Sequence, residues 1–424
     1  MNVSISQSKI SGTVTAPPSK SATHRAIIIA SLSPGMSKLK NVLLSDDTKA
    51  TIYALKQLGV KIQEQGNTVI IQGSGGNLIA SSTPIFLNNS GTSLRLLAGI
   101  AALAKGKTTL TGEKRLTERP MEDLLAALNK AGIYAQSLKN NNCAPIEITG
   151  GKIIGGTLHI KGNVSSQYIS SLLLIAPFAT DTLTIIIEGE LKSKPYVALT
   201  IDVMNAFGVN VINEEYKKFI VEKGQAYHSK EYTIEGDYSS ASYFFAAAAI
   251  GGKITVFGLS HQSLQGDKHF LNILERMGCK ILMEKNGITV IRPDKLKAIE
   301  VDMGNYPDIV QTLAIVASFA KGKTHITNIR HVKDKETNRI EATAKELRKM
   351  GIEAKTTSDS LTIIGGEPQS ATIKTHNDHR MAMSFAVAGL AANGETIIQN
   401  AEVISKSYPH FFEDMEKIGG KISR

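Results

Sequence analysis

Cations, hydroxyls and a few carboxylates gather at short points of this chain that lead directly into apolar runs. Lys20, Ser21 and Arg25 stand in "PPSKSATHRAIIIA". The coupling recurs at Ser90, Gly91, Thr92 and Arg95, at Ser165, Ser166 and Gln167, and at Asp378, His379 and Arg380. Where such a run forms a helix, its first free N–H groups and the positive end of its dipole join the side-chain donors. That combination favours phosphate and carboxylate groups. Taken singly, each point is also an ordinary helix start, since Ser19 is a good N-cap and a proline costs little there. Four of them facing a common cleft would surround a phosphorylated substrate with charge and donors.

Further reactive side chains lie in loops. "LTERP" carries Arg119, "SKPY" carries Ser193, Lys194 and Tyr196, "KDKETNR" carries Lys335, Glu336 and Arg339, and "ISKSYP" carries Lys406. Any one of these reads as a solvated basic loop. Their recurrence at matching points of the chain is what carries weight. The net charge of +10 calls for acidic partners. A nucleic-acid binder would add a continuous basic face with stacking aromatics. Aromatic residues make up only 5% and tryptophan is absent, so no nucleic-acid partner is expected.

Other motifs fail on inspection. "GKT" at Gly106 and Gly322 lacks the earlier Walker glycine, its place being taken by Ala101 and Ala317, and these glycines are expected to cap helix C-termini. "GSGGN" at Gly73 lacks the third glycine of a dinucleotide fingerprint. His376 and His379 lack a third metal ligand, and Arg380 would repel a cation. No metal and no organic cofactor is expected. Cys143 and Cys279 form no disulfide framework, which suits a cytoplasmic protein. The start, "MNVSISQSKISG", alternates like a strand and is not a signal peptide. The longest uncharged run, from Gly162 to Thr180, includes Ser165, Ser166, Gln167, Ser170 and Pro177, so no membrane span is expected.

The elements that must position these residues repeat. An amphipathic helix ending in apolar-Gly, followed by a short strand, occurs at Gly59, Gly132, Gly208, Gly278, Gly351 and Gly419, about 70 residues apart. Each glycine is expected at C′, where a left-handed residue stops the helix. Between these markers lie six Ala-rich runs apolar on nearly every face, starting at Ser19, Asn89, Ser165, Ser239, Asp308 and Asp378. Such helices must be buried all round. A chain of 424 residues exceeds one hydrophobic core. An α/β (α+β) protein of two domains, three units each, accommodates the pattern, with crossings near Thr15–Pro18 and Glu235–Asp237.

In order, "PPSKSATHR", "NNSGTSLR", "LTGEKRLTERP", "GNVSSQ", "SKPY", "EGDYSSASYF", "QGD", "NYPDIVQTLA", "KETNRI", "NDHRMAM" and "SKSYPHFF" span essentially the whole chain. This series resembles the 5-enolpyruvylshikimate-3-phosphate synthase family of enolpyruvyl transferases. The resemblance implies two domains of three βαβαββ repeats each, with buried helices and outer sheets (an inside-out α/β barrel) and an active site in the interdomain cleft. Residues 19–234 would form the upper, shikimate 3-phosphate side. Residues 1–18 with 235–424 would form the lower domain, with phosphoenolpyruvate and the catalytic carboxylates. The implied reaction moves the enolpyruvyl group of phosphoenolpyruvate to the 5-hydroxyl of shikimate 3-phosphate by addition and elimination, releasing phosphate on the route to chorismate. A cytoplasmic monomer without cofactor is expected, its partners being the two small substrates.

Carried over by motif, Lys20 would contact both substrates. Ser21, Arg25, Ser165, Ser166, Gln167, Ser193, Tyr196 and Lys335 would hold shikimate 3-phosphate. Gly91, Arg119, Gln167, Arg339, Arg380 and Lys406 would hold phosphoenolpyruvate. Asp308 would accept the 5-hydroxyl proton, and Glu336 would handle proton transfer at the methylene carbon. The chemistry does require an acid and a base on opposite sides of a small substrate. The chain departs from the family's pattern at Pro17-Pro18 (commonly Pro-Gly), at Ser93-Leu94-Arg95-Leu96 (commonly Ala-Met-Arg-Pro) and at His331 (usually Asn). Gly91 would leave the phosphoenolpyruvate pocket open, which implies competitive inhibition by glyphosate. The alternative is the sister enzyme acting on UDP-N-acetylglucosamine. It carries a cysteine in the loop before its Arg-Pro, and "GEKRLTERP" has none.

Overall fold

Burial separates the helices into two kinds. In the computed structural model, which describes residues 1–424, the helices run α1 (Lys20–Leu32), α2 (Asp46–Gln57), α3 (Gly91–Ala101), α4 (Glu122–Lys130), α5 (Ser166–Ile175), α6 (Lys194–Ala206), α7 (Tyr238–Gly251), α8 (Phe270–Arg276), α9 (Val310–Ser318), α10 (Arg339–Lys349), α11 (His379–Gly389) and α12 (Phe411–Lys417). The odd-numbered ones carry apolar residues on nearly every face, and every residue of α9 and α11 is buried. The even-numbered ones have an outer face. In α2, for example, Lys49, Tyr53 and Lys56 are exposed while Ala50, Ala54 and Leu55 are buried, the spacing of an amphipathic helix. All six even-numbered helices stop at the predicted glycines, whose φ values lie between 79° and 105°. A side chain would be strained in that left-handed region.

The chain folds into two compact units, Met1–Ser19 with Glu235–Arg424, and Lys20–Ile234. Each has its own apolar cluster and three small sheets of one pattern. Pro34–Lys40 shows it: this strand pairs in parallel with Glu231–Thr233 and antiparallel with Thr68–Ser74, which pairs antiparallel with Lys61–Gln65. In the other unit, Gly252–Phe257 pairs in parallel with Ile10–Thr15 and antiparallel with Gly287–Ile291, which in turn pairs antiparallel with Lys280–Glu284. No helix is long and apolar enough to cross a membrane.

Local details differ from the sequence reading. The N-terminal alternation is two strands in two different sheets, Asn2–Ser6 and Ile10–Thr15. They are separated at Ser8, whose hydroxyl turns back to the Ser6 carbonyl at 2.7 Å. The "GKT" glycines are not helix caps. Gly106 lies inside the strand Ala104–Thr111 and Gly322 immediately precedes Lys323–Thr327, with φ of 113° and 108°. The helices ahead of them end earlier, at Ala101 and Ser318.

Candidate active site

In the unit Lys20–Ile234, three helices are tied together within their first two turns by one arginine. Arg25 is 1% exposed. Its guanidinium donates to the Ser21 carbonyl at 2.8 Å in its own helix, to Thr200 Oγ1 at 2.7 Å and the Tyr196 carbonyl at 3.0 Å in α6, and to Ser170 Oγ at 3.4 Å in α5. All four partners are neutral. Burial lowers its pKa to about 10, so the group stays charged at neutral pH with its charge directed at no carboxylate among those partners. A buried cation set in neutral acceptors suits an incoming anion. Around it, Ser165 caps α5 by accepting from the Gln167 N–H at 3.3 Å, and Ser166 is buried. Ser193 opens α6 from the left-handed region, at φ 56° and ψ 39°.

A second polar group in the same unit lies at the start of α3. Lys20 Nζ meets Asp47 Oδ2 at 3.0 Å, with both side chains largely buried. The Asp47 carbonyl accepts from Ser93 Oγ at 3.1 Å. Ser90, not the expected Asn89, caps α3 and accepts from the Ser93 N–H. Beside Ser90, Gly91 meets Arg119 so closely that a Cβ built on it would lie 2.2 Å from one guanidinium nitrogen. Gln167 crosses from α5, accepting from Arg95 at 3.0 Å and donating to Thr92 Oγ1 at 3.0 Å. Lys20, Gly91, Arg119 and Gln167 are thereby connected to one helix start. Asp47 and the orienting role of Arg95 are not apparent from sequence. Acids at the front of α2 are ordinary partners of a helix dipole, and only the fold brings Lys20 to them.

In the unit Met1–Ser19 with Glu235–Arg424, Arg339 is the centre. It is 1% exposed and holds Asp378 through Nε at 2.8 Å, Asp308 through one terminal nitrogen at 3.2 Å, and Glu336 through the other at 2.8 Å. Burial alone would lower its pKa, but Asp378, Glu336 and Asp308 outweigh burial and raise it. Arg380 takes the other oxygen of Asp308 at 2.6 Å and reaches the Tyr243 hydroxyl at 3.3 Å. Asp308 is therefore shared, one oxygen to each arginine. It does not cap a helix as expected but lies in the 3-10 turn Pro307–Ile309 ahead of α9, where Pro307 has no N–H to give. Asp378 does cap α11, accepting from the Arg380 N–H at 2.9 Å.

Asp237, and not Ser239, caps α7 through the Ser240 N–H at 2.6 Å. Ser239 instead donates to Asp267 Oδ2. Asp267 is 3% exposed, and burial, with Asp308 next in weight, pushes its pKa up to about 7. Its motif "QGD" gives no hint of this, because the effect comes from distant parts of the chain. Lys406 is buried at the end of the turn Ala401–Lys406, and Lys335 is half-buried after Arg330–Asp334. None of the residues named for the site is exposed, so these loops are not simply solvated basic segments.

Comparison with known proteins gives a consistent picture. The family profile described as EPSP synthase (3-phosphoshikimate 1-carboxyvinyltransferase) matches residues 5–415. A 3-phosphoshikimate 1-carboxyvinyltransferase of Methanocella arvoryzae is 45% identical over 419 residues, covering 99% of each chain. That of Methanosarcina mazei is 46% identical over 428 residues, covering 100% of this chain and 99% of the relative. Among solved structures, EPSP synthase from Acinetobacter baumannii superposes with a TM-score of 0.84 at 28% identity, covering 100% of both chains.

Proposed function

Because the chain belongs to the EPSP synthase (3-phosphoshikimate 1-carboxyvinyltransferase) family, we propose how its residues divide the work of that reaction. The enzyme transfers the enolpyruvyl group of phosphoenolpyruvate to the 5-hydroxyl of shikimate 3-phosphate, releasing phosphate. The alternative acceptor, UDP-N-acetylglucosamine, is not favoured by any of these matches.

Shikimate 3-phosphate is held by Lys20, Ser21, Arg25, Ser165, Ser166, Gln167, Ser193, Tyr196, Asp308 and Lys335. Phosphoenolpyruvate is held by Lys20, Gly91, Arg119, Gln167, Arg339, Arg380 and Lys406. In this division of work the unit containing Arg25 binds the 3-phosphate, and the unit containing Arg339 supplies the carboxylates. The observation that carries this reading is the sharing of Asp308 between two buried arginines. A phosphoenolpyruvate carboxylate or phosphate would compete for those guanidinium N–H groups, since charged hydrogen bonds of this kind are strong and directional. Asp308 then has an oxygen available for the 5-hydroxyl proton. Glu336, tied to Arg339 at 2.8 Å, serves the methylene carbon, so addition at C2 and protonation at C3 have separate carboxyl groups. The tetrahedral intermediate keeps both anions, and fixed cations stabilise it without reorganising.

The scheme asks for no group beyond the two substrates, and we place the enzyme in the cytoplasm as a monomer. Phosphate release from phosphoenolpyruvate with each acceptor tests the reading. Release should require shikimate 3-phosphate and be absent with UDP-N-acetylglucosamine. Asp308→Asn should lower kcat at least ~100-fold, and undiminished turnover would remove Asp308 from its role.

A further inference from the structure

Behind the arginine pair lies a second buried ionic group that the reaction does not touch. Glu346 is completely buried in α10. One carboxylate oxygen accepts from His376 Nε2 at 2.8 Å. The other takes the Lys374 backbone N–H at 3.1 Å and Lys349 Nζ at 2.5 Å. Burial would raise its pKa, yet the contacts with Lys349, His376 and the Lys374 N–H outweigh burial and lower it. An apolar residue at this place would avoid the desolvation cost of a buried charge, so what the carboxylate holds matters.

It holds a strained segment. His376 and Asn377 are consecutive non-glycine residues in the left-handed region, at φ 53° and 55°. Such conformations persist only where surrounding contacts fix them. The next residue is Asp378, the cap of α11 and the partner of Arg339. Arg339 opens α10 and Glu346 lies two turns further along it, roughly 10 Å at 1.5 Å per residue. One helix thus grips the stretch Lys374–Asp378 twice, through Glu346 at its start and through Arg339 at its end.

We propose that Glu346 and His376 are positioning residues for the active-site arginines. Their contact sets the register of Lys374–Asp378 against α10, so that Asp378 meets Arg339 edge-on while starting the helix that carries Arg380. The inference rests on the reading of Arg339 and Arg380 as phosphoenolpyruvate ligands. Neither Glu346 nor His376 touches substrate.

Two replacements of His376 separate this role from simple stability. Gln places an N–H donor close to the position of His Nε2. Asn suits the left-handed backbone but is too short to reach Glu346. His376→Gln should therefore keep kcat/KM for phosphoenolpyruvate within about threefold of wild type, whereas His376→Asn should lose ~10–100-fold, the scale set by misplacing a binding group by about an ångström. Glu346→Gln should show the same loss. Thermal melts establish that each variant is folded at the assay temperature. Wild-type kcat/KM in folded His376→Asn and Glu346→Gln overturns the proposal, and so does equal loss in His376→Gln and His376→Asn. A wild-type protein that releases no phosphate from phosphoenolpyruvate with shikimate 3-phosphate overturns the reading of the arginines, and the positioning role with it.

Discussion

Replacing Gly91 by alanine adds one methyl group where Arg119 already sits. The new Cβ would lie 2.2, 2.4 and 2.6 Å from NH1, Cζ and NH2 of that guanidinium, against an ordinary contact distance of at least 3.4 Å. The end of the arginine side chain must retreat by about 1 Å, and because the atoms met are the far end of a flexible side chain the backbone need not move. Alanine is a better helix former than glycine, by up to ~1 kcal/mol in a helix interior. Folding stability should therefore be nearly unchanged. The cost falls on whatever Arg119 binds. A hydrogen bond between charged groups contributes ~1.5–3 kcal/mol, so its loss raises KM for phosphoenolpyruvate by ~10–100-fold. Glyphosate should weaken in parallel if it occupies the same pocket. Initial rates of phosphate release, with phosphoenolpyruvate varied at saturating shikimate 3-phosphate, measure the first effect. A KM within twofold of wild type would refute the assignment of Arg119. Loss of folding instead would refute the claim that only a side-chain end must yield.

Glyphosate should raise the apparent KM for phosphoenolpyruvate while leaving the extrapolated maximal rate unchanged, and a fall in that rate would count against a shared pocket. Arg25→Lys should raise KM for shikimate 3-phosphate by ~10–100-fold, because an ammonium cannot reproduce the fork that reaches Ser21, Tyr196 and Thr200. An unchanged KM in steady-state assays would detach Arg25 from the 3-phosphate. Asp267 titrates at about 7 when folded against 3.8 as its ordinary value. The folded state therefore keeps a proton the unfolded chain has lost, and stability falls as pH rises between those values. From about pH 5.5 to about pH 8, wild type should lose ~2 kcal/mol relative to Asp267→Asn in urea titrations. An equal difference at both pH values would contradict an elevated carboxyl.

What the sequence discloses well is what depends on local composition. The odd-numbered helices are legible because their residues are apolar all round, and the even-numbered ones because a helix that stops at glycine carries its own punctuation. Caps are harder. Asn89 and Ser90 adjoin, Asp237, Ser239 and Ser240 fall within one four-residue stretch, and each is a competent cap by chemistry. The fold selects Ser90 and Asp237, leaving Ser239 for Asp267. "GKT" misleads because a glycine shortly after a helix can serve a strand as well as a cap. Motif matching names Arg339 and Asp308 but not the geometry that joins them. Asp47, Arg95 and Glu346 escape because each acquires its meaning from a partner at least 27 residues away.

The two units handle a buried guanidinium in opposite ways, and the difference bears on how each would receive an anion. Arg25 is surrounded by carbonyls and hydroxyls, so in the proposed scheme its positive charge would meet an incoming phosphate without first breaking an ion pair with these partners. On that assignment the phosphate is the natural anchor of the substrate, because its binding would offset a cation held only by neutral groups. Arg339 and Arg380 are already neutralised by Asp308, Glu336 and Asp378. An anion arriving there gains less, since these guanidinium charges are already offset by carboxylates. In the proposed scheme, an anion that takes a guanidinium N–H from Asp308 releases the oxygen assigned as the base. Weak net binding at this place is the counterpart of activation: interaction energy that could have tightened phosphoenolpyruvate is directed to releasing Asp308. Energy used in this way appears in kcat instead of KM. Neutralising Asp308 should therefore strengthen phosphoenolpyruvate binding even as it abolishes turnover. Equilibrium titration of Asp308→Asn would reveal tighter binding than wild type, and weaker binding would show that the carboxylate does not compete with the substrate for the arginines.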